Sequence, residues 1–251
     1  MSKNILAISG NDIFSGGGLY ADLTTYAREK LHGFVAVTCL TAVTENGFEV
    51  IPVDDKVLEQ QLASLKDVDF AAVKLGLLPN VETADVALAF VKAHADHPVV
   101  LDPVLVCKEN HDLEVSRLRD ELLKFIPYAT IVTPNLVEAQ LLAQMDIKTL
   151  DDMKVAAEKL HALGVANVVI KGGNRLQKDE AVDLFYDGQT FETFTYPILE
   201  QNNVGAGCTF ASSIAAKLAQ GYSVLDAVKE AKVFVYQAIQ HADQYGVSQH
   251  F

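Results

Sequence analysis

Asn203-Val204-Gly205-Ala206-Gly207-Cys208-Thr209 runs directly into the apolar segment 210–218. Its small residues open a helix and place a thiol on the first turn. Such a turn leaves backbone N–H groups without intrahelical partners and carries the positive end of the helix dipole, so it suits a phosphate or another developing negative charge. The same field lowers a thiol pKa, which makes Cys208 a candidate base or nucleophile. A glycine-rich helix entry with a buried structural cysteine would use the same residues. The rest of the chain has to decide between these readings.

Upstream of this stretch, strands and helices alternate. Residues 4–9 form a compact apolar strand, and 10–18 form a polar, glycine-rich loop ahead of a helix over 19–31. Further strands are expected at 34–43, 70–75, 98–101, 129–133 and 165–171, the first of these read as buried. Apolar spacing and capping residues, such as Asn135 after Pro134, predict helices at 56–65, 81–95, 113–125, 135–144 and 151–163. Residues 104–112, bounded by Pro103, read as a loop. This alternation predicts an α/β fold with a central, mostly parallel sheet and helices on both faces. The rhythm breaks at 180–200, where two alternating runs flank Asp187-Gly188 and predict a small antiparallel edge hairpin. Helices over 208–220 and 224–243 follow, separated by Gly221. With no repeat and no linker, residues 1–251 read as a single domain.

Composition narrows the function classes. Half of the 251 residues are hydrophobic and tryptophan is absent, which fits a dense aliphatic α/β core. The net charge of −13 argues against a nucleic-acid partner, whose phosphates demand a basic face. An acidic protein that binds a phosphorylated ligand must concentrate its few cations locally. No run reaches the ~18 apolar residues of a membrane span, and the N-terminal run lacks a signal-peptide pattern. Cys39, Cys107 and Cys208 match neither a disulfide framework nor a zinc pattern, so a reduced, cytoplasmic protein is expected.

Ligands of doubly wound sheets lie beyond the carboxyl ends of the strands. Polar outliers gather at those ends: Asp12, Lys74, Asp102 with Cys107, Asn135 with Glu138, Lys171, and finally Cys208. Asn135 and Glu138 lie three apart on a first helical turn and face the same way. With Asp102 they could hold a hydrated Mg²⁺, which keeps several waters and touches few carboxylates. Lys171-Gly172-Gly173 offers a cation and exposed amides suited to nucleotide phosphates. No G-x-x-x-x-G-K-[ST] pattern occurs, so a kinase here is not of the P-loop kind. Gly16-Gly17-Gly18-Leu19-Tyr20-Ala21 fits the dinucleotide cue G-x-G-x-x-A and keeps an oxidoreductase as an alternative. Its glycines, however, begin seven residues after Ser9, and Glu45 is the nearest carboxylate to the second strand's end.

Six ordered blocks together resemble the ribokinase superfamily, in particular its hydroxymethylpyrimidine (phosphate) kinase-like branch, which includes bacterial pyridoxal kinases. The blocks are Ser9-Gly-Asn-Asp12 with Ser15-Gly-Gly-Gly and Ala21-Asp22, Val73-Lys-Leu-Gly76, Asp102-Pro-Val, Val132-Thr-Pro-Asn-Leu-Val-Glu138, Ile170-Lys-Gly-Gly173, and Gly205-Ala-Gly-Cys-Thr209. The resemblance implies a ribokinase-like fold and ATP-dependent phosphorylation of a hydroxymethyl group. The amides of Gly205, Ala206, Gly207 and Cys208 would form an anion hole, with Cys208 in the position of the catalytic base. Asp102 and Glu138 would arrange Mg²⁺ through water, and Asn135, Lys171, Gly173 and Thr209 would contact ATP. Asp12, Gly16, Val43 and Cys107 would line the substrate pocket.

Two details bear on the substrate. Val106-Cys107-Lys108 resembles the lid of dual-cysteine pyridoxal kinases, in which a lid thiol can add to the substrate aldehyde, and Cys107 would then act with Cys208. Hydroxymethylpyrimidine kinases usually carry a glutamine where this chain has Val43, and a buried apolar residue cannot pair with an exocyclic amine. A B6 vitamer is therefore the expected substrate, with hydroxymethylpyrimidine (phosphate) as the alternative. ATP and Mg²⁺ are the expected cofactors, a monovalent cation is left open, and a homodimer is expected. Asn11, Tyr20, Val204 and Glu109 replace the branch's usual serine, glutamine, histidine and glycine. The last two departures keep a non-catalytic ligand-binding relative in view.

Overall fold

Alternation within single strands divides the core into two layers. In β1 (Asn4–Asn11), Ile5 and Ala7 pack on one face of the sheet while Leu6 and Ile8 pack on the other, and all four are fully buried. The computed structural model describes residues 2–105, 112–173, 175–176 and 179–251. Within them β1 is followed by α1 (Gly18–Arg28), β2 (His32–Thr44), β3 (Gly47–Pro52), α2 (Asp55–Ser64), β4 (Phe70–Leu75), α3 (Val81–Ala93) and β5 (Val99–Leu101). Then come α4 (Asp112–Leu123), β6 (Ile131–Val132), α5 (Leu136–Ala143), α6 (Leu150–Ala162), β7 (Asn167–Lys171), β8 (Glu180–Tyr186), β9 (Phe191–Pro197), α7 (Ala206–Gln220) and α8 (Val224–Gln240).

The strands form one sheet in the order β3-β2-β1-β4-β5-β6-β7-β8-β9. Every pairing from β2 through β7 is parallel, and β2–β3, β7–β8 and β8–β9 are antiparallel. One face packs against α1, α7 and α8 through residues such as Leu19, Tyr26, Phe210, Ile214 and Val228. The other packs against helices α2 to α6 through Leu58, Leu88, Leu122, Leu142 and Leu160. Each such large apolar side chain stabilises its layer by about 1.5–3 kcal/mol before chain entropy opposes it. No helix among the described residues is long and apolar enough to cross a membrane.

The expected α/β architecture and the hairpin at β8–β9 are both present. A second antiparallel edge, β2–β3, was not anticipated. Glu45 and Asn46 connect the paired residues Thr44 and Gly47, and Gly47 adopts φ +101. Asn46-Gly47 after a Val/Thr-rich run is the hairpin signal that would have revealed it. This hairpin also corrects the reading of Val43. The side chain is not buried: it pairs with Phe48 on the outer hairpin and is 60% exposed. Only β1 flanks β2 on its inner side, and the strand outruns that neighbour, so its last residues lose cover.

Candidate active site

The strand order reverses between β1 and β4, which opens a crevice beyond their carboxyl ends. The start of α7 faces this region. Gly205 precedes it in a left-handed conformation (φ +83), and no side chain caps the helix. A first turn without a side-chain cap leaves N–H groups available to an anion, here those beyond Ala206, whose own N–H donates to Asn203 O at 3.1 Å. Close packing fixes where the turn sits. A Cβ on Gly205 would lie 1.6 Å from the carbonyl oxygen of Gly16, and one on Gly17 would lie 3.4 Å from Gly205 Cα and 3.8 Å from both Asp12 Oδ2 and Cys208 Sγ. The loop after β1 therefore rests directly on the start of α7. Asp12 holds that loop by accepting from the N–H groups of Phe14 and Gly17, at 3.0 and 2.9 Å.

Cys208 is partly buried. Burial pushes its thiol up to about 11, and the Lys74 ammonium pulls against that shift. Lys74 is itself fully buried and pairs with both oxygens of the equally buried Asp22, at 2.9 and 3.1 Å. Ser212, from the second turn of α7, donates to Asp22 Oδ1. Burial raises the Asp22 carboxyl, with Lys74 and Ser212 opposing. Burial alone would lower Lys74, but the Asp22 carboxylate outweighs it and keeps the lysine charged.

A second ion pair stands at the ends of β5 and β7. Lys171 Nζ lies 3.1 Å from Asp102 Oδ1, to which the Thr133 hydroxyl also donates at 3.2 Å. Asn135 and Glu138 form a capping box on α5. Asn135 Oδ1 accepts from the N–H groups of Val137 and Glu138, and Glu138 Oε2 accepts from that of Asn135 at 2.8 Å. Burial raises the Glu138 carboxyl to about 7; Lys171 opposes the rise and Asp102 adds to it. Lys171 also approaches α7, since a Cβ on Gly207 would lie 3.4 Å from its Nζ. Two buried carboxylates beside a lysine make an all-oxygen donor set. With Glu138 Oε2 and Asp102 Oδ1 already engaged, that set fits a hard cation held through its waters. Among the described residues no three His, Cys, Asp or Glu side chains converge to ligate a metal directly.

Asn135, Lys171, Gly173, Ala206 and Gly207 line one pocket of about 390 Å³. Asp102 and Glu138 stand beneath it, and Asp12, Gly16 and Cys208 lie on the far side of the α7 turn. One predicted side chain turns away from these surfaces: Thr209 is fully buried with its hydroxyl accepting from Gln249. Val43 lies on the β2–β3 hairpin two residues beyond Thr41, whose hydroxyl accepts from the Ile13 N–H of the Asp12–Gly17 loop at 2.9 Å. Cys107 and Glu109 lie outside the described residues.

Sequence reasoning missed Asp183, Lys232 and Arg175, which share the pocket. Asp183 accepts from the N–H of Gly172 at 3.0 Å and pairs with Lys232 at 2.5 Å. Each interrupts an apolar pattern, Asp183 between Val182 and Leu184 and Lys232 between Ala231 and Phe234, and that interruption was the available signal. Lys171, Arg175 and Lys232 concentrate positive charge at this pocket, with Lys171 paired to Asp102 and Lys232 to Asp183. The dinucleotide alternative lacks space, because the backbone of Gly10 and Asp12 packs against Gly18, the glycine that a pyrophosphate would have to approach.

Residues 12–250 match the family model described as phosphomethylpyrimidine kinase. The chain is 39% identical over 247 residues to the pyridoxine kinase of Bacillus subtilis, covering 94% of this chain and 90% of that protein. It superposes on the ADP complex of Bacillus subtilis pyridoxal kinase with a TM-score of 0.92 at 38% identity, covering 98% and 96% of the two chains. The Staphylococcus aureus pyridoxal kinase in complex with AMP-PCP and pyridoxal gives a TM-score of 0.90 at 34% identity, with 99% and 94% covered. These matches span nearly the whole chain in sequence and in fold, and they agree with the uncapped α7 turn, the Lys171 pocket and the six sequence blocks: the chain belongs to the phosphomethylpyrimidine kinase family.

Proposed function

We propose that this protein is a pyridoxal kinase, transferring the γ-phosphoryl group of ATP to the 5′-hydroxymethyl group of pyridoxal, pyridoxine and pyridoxamine. The observation that carries this reading is the uncapped start of α7, packed between the Asp12–Gly17 loop on one side and the Lys171 pocket on the other. A phosphoryl group passing between the two sides would meet the N–H groups of Gly205 to Cys208. Phosphoryl transfer has a loose transition state and depends on positioning and charge neutralisation more than on covalent help. Lys171 and Gly173 would hold the nucleotide phosphates beside Asn135, and Asp12 and Gly16 would border the vitamer. Asp102 and Glu138 would hold the waters of a Mg²⁺ ion, which neutralises phosphate charge when bound.

Cys208 is the proposed base for the hydroxyl proton. Because burial holds its thiol up to about 11, base catalysis draws on a thiolate fraction that grows with pH. Cys107 is the proposed lid thiol. A cytoplasmic homodimer is part of the same reading, as is a requirement for ATP with Mg²⁺.

Phosphorylation of hydroxymethylpyrimidine or its phosphate is the second reading, favoured by the family model that matches residues 12–250. Val43, exposed rather than buried, still offers no acceptor to an exocyclic amine. The preference rests on the pyridoxine and pyridoxal kinases among the relatives. Comparing kcat/KM for pyridoxal and for hydroxymethylpyrimidine under Mg·ATP tests it. A higher value for pyridoxal is expected, and a higher value for the pyrimidine alcohol would establish the second reading instead. Tight binding of ATP and pyridoxal without turnover would mark a non-catalytic relative.

A further inference from the structure

A helix start that offers its N–H groups to a phosphate cannot also cap them with its own side chains, so something else must hold the turn in place. In α7 the N-cap is a glycine without a side-chain bond, and within the stretch Asn202 Oδ1 accepts only from the N–H of Val204, at 3.1 Å. Besides the packing of Gly205 on the Gly16–Gly17 backbone and the Ala206 N–H bond to Asn203 O at 3.1 Å, restraints come from segment 243–251. Val247 donates its N–H to Val204 O at 3.0 Å, and Asn202 Nδ2 donates to Asp243 O at 3.0 Å. Gly246 packs so closely that a Cβ there would meet Val204 O at 2.7 Å and Gly16 Cα at 2.9 Å.

The contact nearest the phosphate-holding turn is made by Gln249. Its side chain is almost fully buried, and its Nε2 donates to Thr209 Oγ1 at 2.9 Å across 40 residues of sequence. Thr209 follows Cys208 directly and closes the first helical turn by donating its N–H to Gly205 O at 2.9 Å. Gln249 is in turn anchored to the body of the protein. Its carbonyl oxygen accepts from Arg28 Nη1 at 3.3 Å, and Ser248 donates its N–H to Ala238 O at 3.1 Å. The Arg28 guanidinium stacks over Phe234 and Phe251. The segment thus ties α1 and α8 to the first turn of α7.

We propose that Gln249 is a positioning residue for phosphoryl transfer, fixing the first turn of α7 from behind through the Thr209 hydroxyl. The proposal rests on reading that turn as the one that holds the transferred phosphate. The cost of losing the bond is geometric: a misplacement of about 1 Å can lower turnover on the order of 10²-fold without touching the substrate.

Five proteins test this: wild type, Gln249→Ala, Thr209→Val, the double variant, and Thr209→Ser as the conservative control. Turnover and hydrogen exchange of ligand-free protein are measured for each. Gln249→Ala and Thr209→Val are each expected to lower kcat by about 10-fold or more, with KM for pyridoxal changed less than about 3-fold. The double variant should be no worse than either single one, and Thr209→Ser should restore most of the rate. Exchange should quicken over residues 203–210 while β1 and β4 stay protected. Unchanged exchange over 203–210, or quickening spread evenly over the chain, overturns the proposal, as do multiplicative losses in the double variant. The exchange measurement needs no substrate. A wild type that phosphorylates no B6 vitamer would therefore overturn the proposed function and leave this test to be decided by exchange alone.

Discussion

Replacing Gly205 by alanine probes how the turn at α7 is held. At φ +83 a side chain costs about 1–2 kcal/mol in backbone strain alone. The larger effect is steric. The new Cβ would sit 1.6 Å from Gly16 O, 2.6 Å from Gly16 C and 3.2 Å from Gly17 Cα, all of them backbone atoms that no rotamer change can move aside. An ordinary contact requires about 3.4 Å, so the turn and the Asp12–Gly17 loop must separate by about 2 Å. Overpacking of this kind costs about 1–3 kcal/mol of stability. For catalysis, a shift of about 1 Å is enough for a loss on the order of 10²-fold, or about 2.7 kcal/mol of barrier.

Gly205→Ala should therefore lower kcat at saturating ATP and pyridoxal at least 10²-fold, and lower the melting temperature by several degrees. Gly221→Ala separates strain from clash. Gly221 ends the same helix at φ +94, with nothing within 4 Å of a Cβ. It should lose about 1 kcal/mol of stability and keep its turnover. The reasoning is refuted if Gly205→Ala retains kcat within about 3-fold, or if both variants lose turnover alike.

Three further expectations follow from the buried charges. With the Cys208 thiol held up to about 11, wild-type turnover should rise by about 10-fold per pH unit from pH 7 to 9, and Cys208→Ala should flatten the profile; a flat wild-type profile removes the base role. The folded protein holds the Glu138 proton more tightly than the unfolded chain, because burial raises this carboxyl from 4.5 to about 7. Stability of the nucleotide-free protein should fall as pH rises through that window, and Glu138→Gln, which keeps an acceptor for the Asn135 N–H, should remove the fall; denaturant titrations giving equal slopes for the two proteins would contradict this. Lys74→Met leaves Asp22 buried without its cation and should cost about 3–5 kcal/mol, which Lys74→Met with Asp22→Asn should largely restore. Additive losses in that double variant would show that the pair is not coupled.

The layers of the fold were legible because local patterns encode them: Ile5 and Ala7 against Leu6 and Ile8 in β1, or Asn135 and Glu138 as a cap and its partner. The β2–β3 hairpin was also encoded, in Asn46-Gly47, but Phe48, Val50 and Ile51 of the edge strand do not keep the strict alternation of a half-buried strand. What sequence order hides is the choice of partner. Lys74 meets Asp22 across 52 residues, Lys171 meets Asp102 across 69, and Lys232 meets Asp183 across 49. Each charge could be seen as an outlier at a strand end or on an apolar face, yet only the sheet order brings the pairs together. Thr209 shows the opposite case. Its place next to Cys208 in a phosphate-binding stretch suggested a ligand contact, but helical periodicity turns the side chain inward toward Gln249.

The most direct test of phosphoryl transfer at the α7 turn is phosphorus NMR of the wild-type protein with Mg·ATP and pyridoxal. The account predicts that ATP is replaced by ADP and a phosphate monoester of pyridoxal in equal amounts. Unchanged ATP, or ADP accompanied only by inorganic phosphate, would contradict it.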